Sequence, residues 1–389
     1  MATEVKERTG NATVSPANGA KPEQVESPAH DTPARQRIID CDVHHSPPNN
    51  EALFPYLPRQ YVEQIKDFGS MMPNVGYTNM PRGHALPDLW EGTEEEVDPS
   101  TRPEVCSKRH LDHYGIDIAV LTGAGGPYGM AVHPTVDYAA AYCRAYNDYT
   151  LEEWVGKDDR MRASIHIAPA DPQQAAAEID RLGDHPGVAQ VLMPAGSLHP
   201  FGNRIYHPIY EACERNGLPM CVHFGGEGAG FSAPPTAAGF PTYYLEMRMA
   251  RPQIAMAHTA SLICEGVFEK FPNFKFLFIE LDTFWVPGLM WHMDADWKSL
   301  RDYTPWVKRL PSEYLREHIR FGTQPFPNTP DRKGLETFLD WLHADEILVF
   351  ASDYPHWDWE EPAGFMRLLD KKLRPSVMYD TAAELYGLN

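Results

Sequence analysis

A chain of 389 residues that is 43% hydrophobic and 23% charged has globular composition and enough length to bury a large core. Its 54 acidic residues against 34 basic ones leave a formal net charge of −20, a field that repels nucleic acid and anionic membranes and argues against both as partners. No apolar N-terminal run reads as a signal peptide and no stretch of about 18 apolar residues reads as a span, so a cytoplasmic protein is expected.

Residues 1–36 are rich in Pro, Ala, Glu, Ser and Thr without apolar periodicity, and read as a disordered tail before one folded unit over 37–389. The first short apolar run is Arg37–Val43. The stretch 68–104 that follows holds Met71, Met72, Pro73, Pro81, Pro87 and Pro99, with Gly76, Gly83 and the acidic run Glu94–Glu96. It reads as an inserted loop or lid. Arg82 and His84 within it could clamp an anion, although exposed loop residues of this kind are mostly solvated. Next come a run at Asp117–Thr122, a helical pattern over 134–156 and a run at Met161–Ile167. A helix over Asp171–Leu182 follows, with Asp171 as its cap and proline in its first turn. The run Gly187–Met193 precedes a helix at Pro208–Asn216 closed by Gly217. Leu218–His223, a helix over 254–270, Phe274–Ile279, Ile319–Thr323 and Glu346–Ser352 complete the alternation. A last helix near 381–387 opens with Thr381 and Glu384 at capping-box spacing.

The runs are mostly apolar on both faces, as strands of a covered parallel sheet must be. Eight of them alternating with helices predict a (β/α)₈ TIM barrel, although a doubly wound open sheet shares the local pattern. No internal repeat is present. The cysteines Cys41, Cys106, Cys143, Cys213, Cys221 and Cys264 lack repeated short spacings and read as buried reduced thiols.

Barrel enzymes carry their sites at the C-terminal ends of the strands. The first predicted strand ends Asp40-Cys41-Asp42-Val43-His44-His45, and alternation puts 40, 42 and 44 on one face. The fifth ends in His223, the sixth runs into Glu280 and Asp282, and the eighth runs into Asp353 and His356. Two imidazoles and two carboxylates at one mouth suit a divalent metal held by Asp42, His44, His223 and Asp353, with a place left for water. Zinc fits by default, and a carboxylate-rich set also suits iron or manganese. Three residues are candidates for catalysis: Asp353, Glu280 and His356. Glu280 is also a fifth candidate ligand, with a salt bridge behind the mouth as its structural alternative. His356 reads as a partner of Asp353 more than as a ligand. His45 should point away from His44. His166 at the end of the third strand faces core or mouth, and Gln324 after the seventh could meet substrate. Trp285, Trp291 and Trp297 sit near helical spacing and read as packing. The Gly-x-Gly pairs near Gly123 and Gly225 lack a dinucleotide fingerprint.

These strings resemble the amidohydrolase-related (amidohydrolase 2) family, in its aminocarboxymuconate-semialdehyde decarboxylase-like branch. The likeness rests on Asp42-x-His44, the segment from Gly202 to Ala212, the His223 strand end, Gly266-Val-Phe-Glu-Lys-Phe-Pro272 and Phe350-Ala-Ser-Asp-Tyr-Pro-His356. It implies a metal-containing barrel that hydrolyses, hydrates or decarboxylates a small molecule without an organic cofactor, as a homodimer. The resemblance also implies an imidazole where Glu280 stands, and His or Glu in place of Asp42. The missing imidazole tilts the expectation toward hydrolysis of an ester, lactone, amide or thioester. A metal would lower the pKa of bound water from about 15.7 toward about 7, and Asp353 would take its proton. The alternatives are a non-oxidative decarboxylase or hydratase of an aromatic or unsaturated acid, and, outside enzymes, a metal-stabilised scaffold.

Overall fold

The computed structural model describes residues 35–73 and 98–388. The expected tail, Arg82, His84 and most of the expected insertion lie outside the described residues. The strands are β1 (Ile39–Val43), β2 (Ile118–Leu121), β3 (Met161–His166), β4 (Val188–Pro194), β5 (Met220–His223), β6 (Phe276–Ile279), β7 (Ile319–Gly322) and β8 (Leu348–Val349). All seven adjacent pairs are parallel, in the order β1 to β8. Closure is made by β1 against the segment after β8. Cys41 N donates to Phe350 O at 2.9 Å, Asp353 N to Asp42 O at 3.1 Å and His44 N to Tyr354 O at 2.8 Å. The TIM barrel expected from the alternation is therefore observed.

Two layers of apolar packing hold it. Ile39, Cys41, Leu192, Cys221, Leu277 and Val349 fill the barrel interior with Ala382 and Ala383 of the last helix, Thr381–Tyr386. A larger cluster lies between the sheet and its helices, where Phe276, Phe278 and Phe321 run as a stack with centroids 6.1 and 5.8 Å apart. Each such buried ring contributes about 1.5–3 kcal/mol. Five cysteines are buried and Cys264 is exposed, all with free thiols. Among the described residues no helix is long and apolar enough to cross a membrane.

Several elements differ from expectation for identifiable reasons. Strict alternation would put Asp40 on the face of Asp42, but the β1–β2 register shifts between Asp40 and Val43. Asp40 pairs with Ala119 and Val43 with Leu121, so Cys41 and Asp42 together oppose one residue. This bulge sends Asp40 outward to His110 and turns Asp42 inward in phase with His44. β8 is only two residues long, because Glu346 and Ile347 belong to a short helix, Ala344–Ile347. The helix expected at 254–270 begins at Tyr244 and ends at Cys264, with Pro252 inside it. Burial of Met247, Ala250 and Arg251 on this helix offsets the missing Pro252 N–H bond. Gly266 in a left-handed conformation (φ +72°) separates it from Val267–Lys270. Thr381 caps nothing, since the chain is already helical through Ser376–Asp380. The cap Asp171 and the left-handed Gly217 are found where expected. Trp285 is buried as expected, whereas Trp291 is 54% exposed.

Candidate metal centre

Four side chains gather at the barrel mouth from three strand ends, in two groups that share His44. Asp42 and His44 come from the bulged end of β1, and His223 is the last residue of β5. Asp353 follows β8 with a left-handed backbone, φ +64°. Ligand atoms of Asp42, His44 and His223 lie within 4.8 Å of one another, and so do those of His44, Asp353 and His356. His44 Nε2 is 3.4 Å from Asp42 Oδ1 and 2.8 Å from Asp353 Oδ1, and His223 Nε2 is 3.5 Å from Asp42 Oδ1.

Neighbouring groups fix which atoms face inward. His44 Nδ1 donates to the Gly123 carbonyl and His223 Nδ1 to the Phe224 carbonyl at 2.6 Å, which leaves both Nε2 atoms as lone-pair donors. Gly123 holds φ +84°, and a Cβ there would meet His166 at 2.9 Å, so this carbonyl needs a glycine. Thr122 Oγ1 donates to Asp42 Oδ1 at 2.6 Å, and His356 Nδ1 donates to Asp353 Oδ1 at 2.5 Å. The remaining atoms Asp42 Oδ2, His223 Nε2 and Asp353 Oδ2 are buried with no hydrogen-bond partner, and His44 Nε2 has only its ion-pair contact with Asp353. Leaving such groups unsatisfied costs about 1–3 kcal/mol each. Two imidazole nitrogens and two carboxylate oxygens are the donor set of a first-row divalent cation, so the residues fit one.

The same crowding sets the proton affinities of the metal-free site. Burial pulls His44 down, but Asp42 and Asp353 overcome it and raise the pKa to about 9. Asp42 is held below the usual carboxylate range, because His44 and His223 outweigh its burial. Burial pushes Asp353 up to about 7 while His44 pulls it back.

The other candidates sort as follows. His45 points away: its Nδ1 accepts from Gly123 N and its Nε2 donates to Thr150 Oγ1 at 2.7 Å. His166 faces the mouth side, 2% exposed with Nε2 unpartnered, and burial beside His223 and His44 pushes its pKa down to about 3. Gln324 is buried with Nε2 donating to Asp358 O and Oε1 unpartnered. Glu280 follows β6 with φ +58° and stays outside both groups of converging ligand atoms. Its Oε1 lies 2.5 Å from Arg251 Nη2 and its Oε2 3.7 Å from His223 Nε2. The salt-bridge alternative is thus what forms. Glu280, Asp282 and Asp353 all hold left-handed backbone, a strain that collects at functional sites.

Sequence reasoning missed Thr122, Tyr128, Arg251 and the Asp40–His110 pair. Tyr128 stacks on His223 with centroids 4.7 Å apart. Thr122, the last residue of an expected strand, carried a usable signal. Arg251 lies in mid-helix, where nothing in the pattern marks it.

Comparison with known proteins identifies the family and matches the fold. The sequence model described as amidohydrolase matches residues 39–388. A γ-resorcylate decarboxylase from Rhodococcus jostii is 23% identical over 263 residues, 63% of this chain and 75% of the relative. The crystal structure of an amidohydrolase from Mycobacterium avium subsp. paratuberculosis superposes with a TM-score of 0.70 at 20% identity, covering 90% of this chain and 99% of that one. A dihydroxybenzoic acid decarboxylase from Polaromonas sp., solved with manganese and 2-nitroresorcinol, gives a TM-score of 0.61 at 19% identity, over 91% of this chain and 98% of that one. The strand-end ligand chemistry and the match across nearly the whole barrel converge on one conclusion: this chain belongs to the amidohydrolase family.

Proposed function

We propose that the protein is a metal-dependent, non-oxidative decarboxylase of an aromatic acid, with Asp42, His44, His223 and Asp353 holding one divalent cation. The observation that carries this reading is the Asp353–His356 pair, 2.5 Å apart at the edge of the ligand cluster. Losing CO₂ from a hydroxybenzoate requires a proton at the ring carbon that bears the carboxylate. The C–C bond then breaks, its electron pair returns to the ring and CO₂ departs. Asp353 is the group suited to that proton: it stands at the ligand cluster with His356 Nδ1 2.5 Å from its Oδ1, and His356 can reload it. A bound cation would supply positive charge to the oxygens of the substrate. Manganese suits the carboxylate-rich donor set, and the solved Polaromonas relative holds it.

The expectation of hydrolysis is corrected. It rested on the missing imidazole where Glu280 stands. Glu280 is paired with Arg251, and it is the relatives that overturn the expectation. The curated relatives are γ-resorcylate decarboxylases, and the solved neighbours include 2,6-dihydroxybenzoate and 5-carboxyvanillate decarboxylases. The direct test is to offer manganese-loaded protein 2,6-dihydroxybenzoate and 5-carboxyvanillate and follow products by chromatography. Appearance of the ring compound lacking one carboxylate is expected. A panel of hydroxybenzoates left intact by metal-replete protein would refute the proposal.

A further inference from the structure

A cavity of about 630 Å³ lies between the loop after β4, the loop after β5 and the helix Tyr244–Cys264. None of the proposed metal ligands lines it. Its walls are mostly small and apolar, with Pro235, Ile254 and Ala257 among them, and they include no lysine or arginine. The one carboxylate in the lining is Glu227, four residues past His223 and only 4% exposed. Its Oε1 accepts from Gly225 N at 2.7 Å. Among the described residues it has no ion-pair partner: Arg251, whose charge reaches it, is bound to Glu280. Burial pushes the Glu227 pKa up to about 7, while the Gly225 N–H, its own N–H and Arg251 pull it back in part. The backbone is built to hold this residue in place. A Cβ on Gly196 would lie 2.3 Å from the Gly226 carbonyl carbon and 2.6 Å from Glu227 N, so the two loops can touch only at a glycine. The other polar side chains of the wall turn their donors inward. Ser197 Oγ donates to His199 O at 2.9 Å, Thr236 Oγ1 to Gly239 O at 2.8 Å and Gln253 Nε2 to Met249 O at 2.9 Å. His258 accepts from Phe201 N at 3.2 Å and donates to Ala195 O at 2.9 Å, and His199 stands exposed at the rim.

We infer that this cavity binds an organic cation, a primary ammonium on a compact apolar body, with the nitrogen seated on Glu227. A carboxylate taken out of water is costly unless a charge completes it, and the wall around Glu227 offers apolar surface and acceptors. An anion would find no lysine or arginine there and would meet Glu227 head-on, in a chain whose net charge of −20 concentrates cations instead. A neutral apolar molecule would fill the walls and leave the carboxylate uncompensated. An ammonium forms charge-assisted hydrogen bonds to Glu227 while its body covers Pro235, Ile254 and Ala257. The volume falls within the roughly 300–1,000 Å³ usual for small-molecule sites. The inference is independent of the reaction at the metal centre and holds whether or not that centre releases CO₂.

The test compares cyclohexylmethylamine with its neutral counterpart cyclohexylmethanol, by calorimetry on manganese-loaded full-length protein. Wild type is expected to bind the amine about ten-fold or more tighter than the alcohol. Glu227→Gln keeps the side-chain shape and an acceptor for Gly225 N. It should weaken the amine by about 10- to 100-fold, the range of a lost charged hydrogen bond, and the alcohol by less than about three-fold. Equal weakening of both probes, or an amine that binds wild type no tighter than the alcohol, overturns the inference. Should Glu227→Gln not fold, Ala257→Leu decides. This exposed position on the cavity wall takes a larger side chain without disturbing the core, and the leucine should weaken both probes by about ten-fold by filling the space. Amine affinity unchanged in Ala257→Leu overturns the inference. So does a wild-type dimer that Ala257→Arg splits in sedimentation, because a second copy would then cover the cavity.

Discussion

His110 Nε2 and Asp40 Oδ2 lie 2.7 Å apart, both fully buried behind the ligand strands. The other oxygen of Asp40 accepts from Ser352 N at 2.9 Å and from Asp42 N at 3.2 Å. One carboxylate therefore ties the end of β1 to the segment after β8, immediately beside Asp42 and Asp353. His110 is further fixed by stacking on Tyr354, with centroids 4.1 Å apart. The pair sets the spacing of two proposed ligands without touching the cation site.

Breaking that tie should therefore loosen metal binding before it harms the fold. His110→Asn is expected to lower manganese affinity by about 10- to 100-fold, the usual effect of losing a group that orients ligands. Chelator competition reads this directly. Affinity within two-fold of wild type would show that Asp40 holds its place unaided.

The proton affinities predict how the metal-free protein responds to pH. His44 rises from an ordinary 6.5 to about 9 on folding, so its stabilising contribution is complete below 6.5 and is lost as pH climbs through 9. Asp353, raised from 3.8 to about 7, acts in the same sense over a lower window. Asp42, lowered, contributes above 3.8 and loses that contribution only in acid. With chelator present, the melting temperature should fall between pH 6 and 9. Metal-loaded protein should lack this fall, because the cation replaces the proton on His44. Parallel melting curves with and without metal would contradict the assignment.

Asp353 separates ligation from proton delivery. Asparagine tolerates the left-handed backbone at this position and keeps one ligand oxygen. Asp353→Asn should keep the fold and bind metal more weakly, yet lose about 10²–10⁴-fold in turnover even at saturating manganese. Full recovery of turnover on adding manganese would reduce Asp353 to a ligand.

Much of this was legible beforehand, because covered parallel strands are continuous apolar runs and barrel chemistry sits at their ends. The proposed ligands Asp42, His44, His223 and Asp353 were candidates on that rule, and the fold brings their side chains to one mouth. The inward face of β1 could not: alternation assumes an unbroken ladder, and one bulge reversed Asp40 relative to Asp42. Arg251 was hidden because the expected helix began at residue 254, whereas the observed one runs from Tyr244 through Pro252. Glu280 was found at the right place, but its chemistry depended on a partner 29 positions away that only the fold brings near.

Removal of the cation should be decisive and reversible. Dialysis against chelator is expected to abolish turnover while the barrel stays folded, and manganese should restore it. His223→Ala should not be restored, since it lacks one of the four proposed ligands. Restoration of that variant to wild-type turnover would mean the ligand set is wrongly drawn.

The measurement that bears most directly on the whole account is turnover of 2,6-dihydroxybenzoate by manganese-loaded protein in D₂O. The account predicts CO₂ in the headspace and resorcinol carrying one deuterium at the carbon that lost its carboxylate, both abolished by chelation. If neither 2,6-dihydroxybenzoate nor 5-carboxyvanillate loses CO₂, or if CO₂ loss survives complete removal of metal, the account is contradicted.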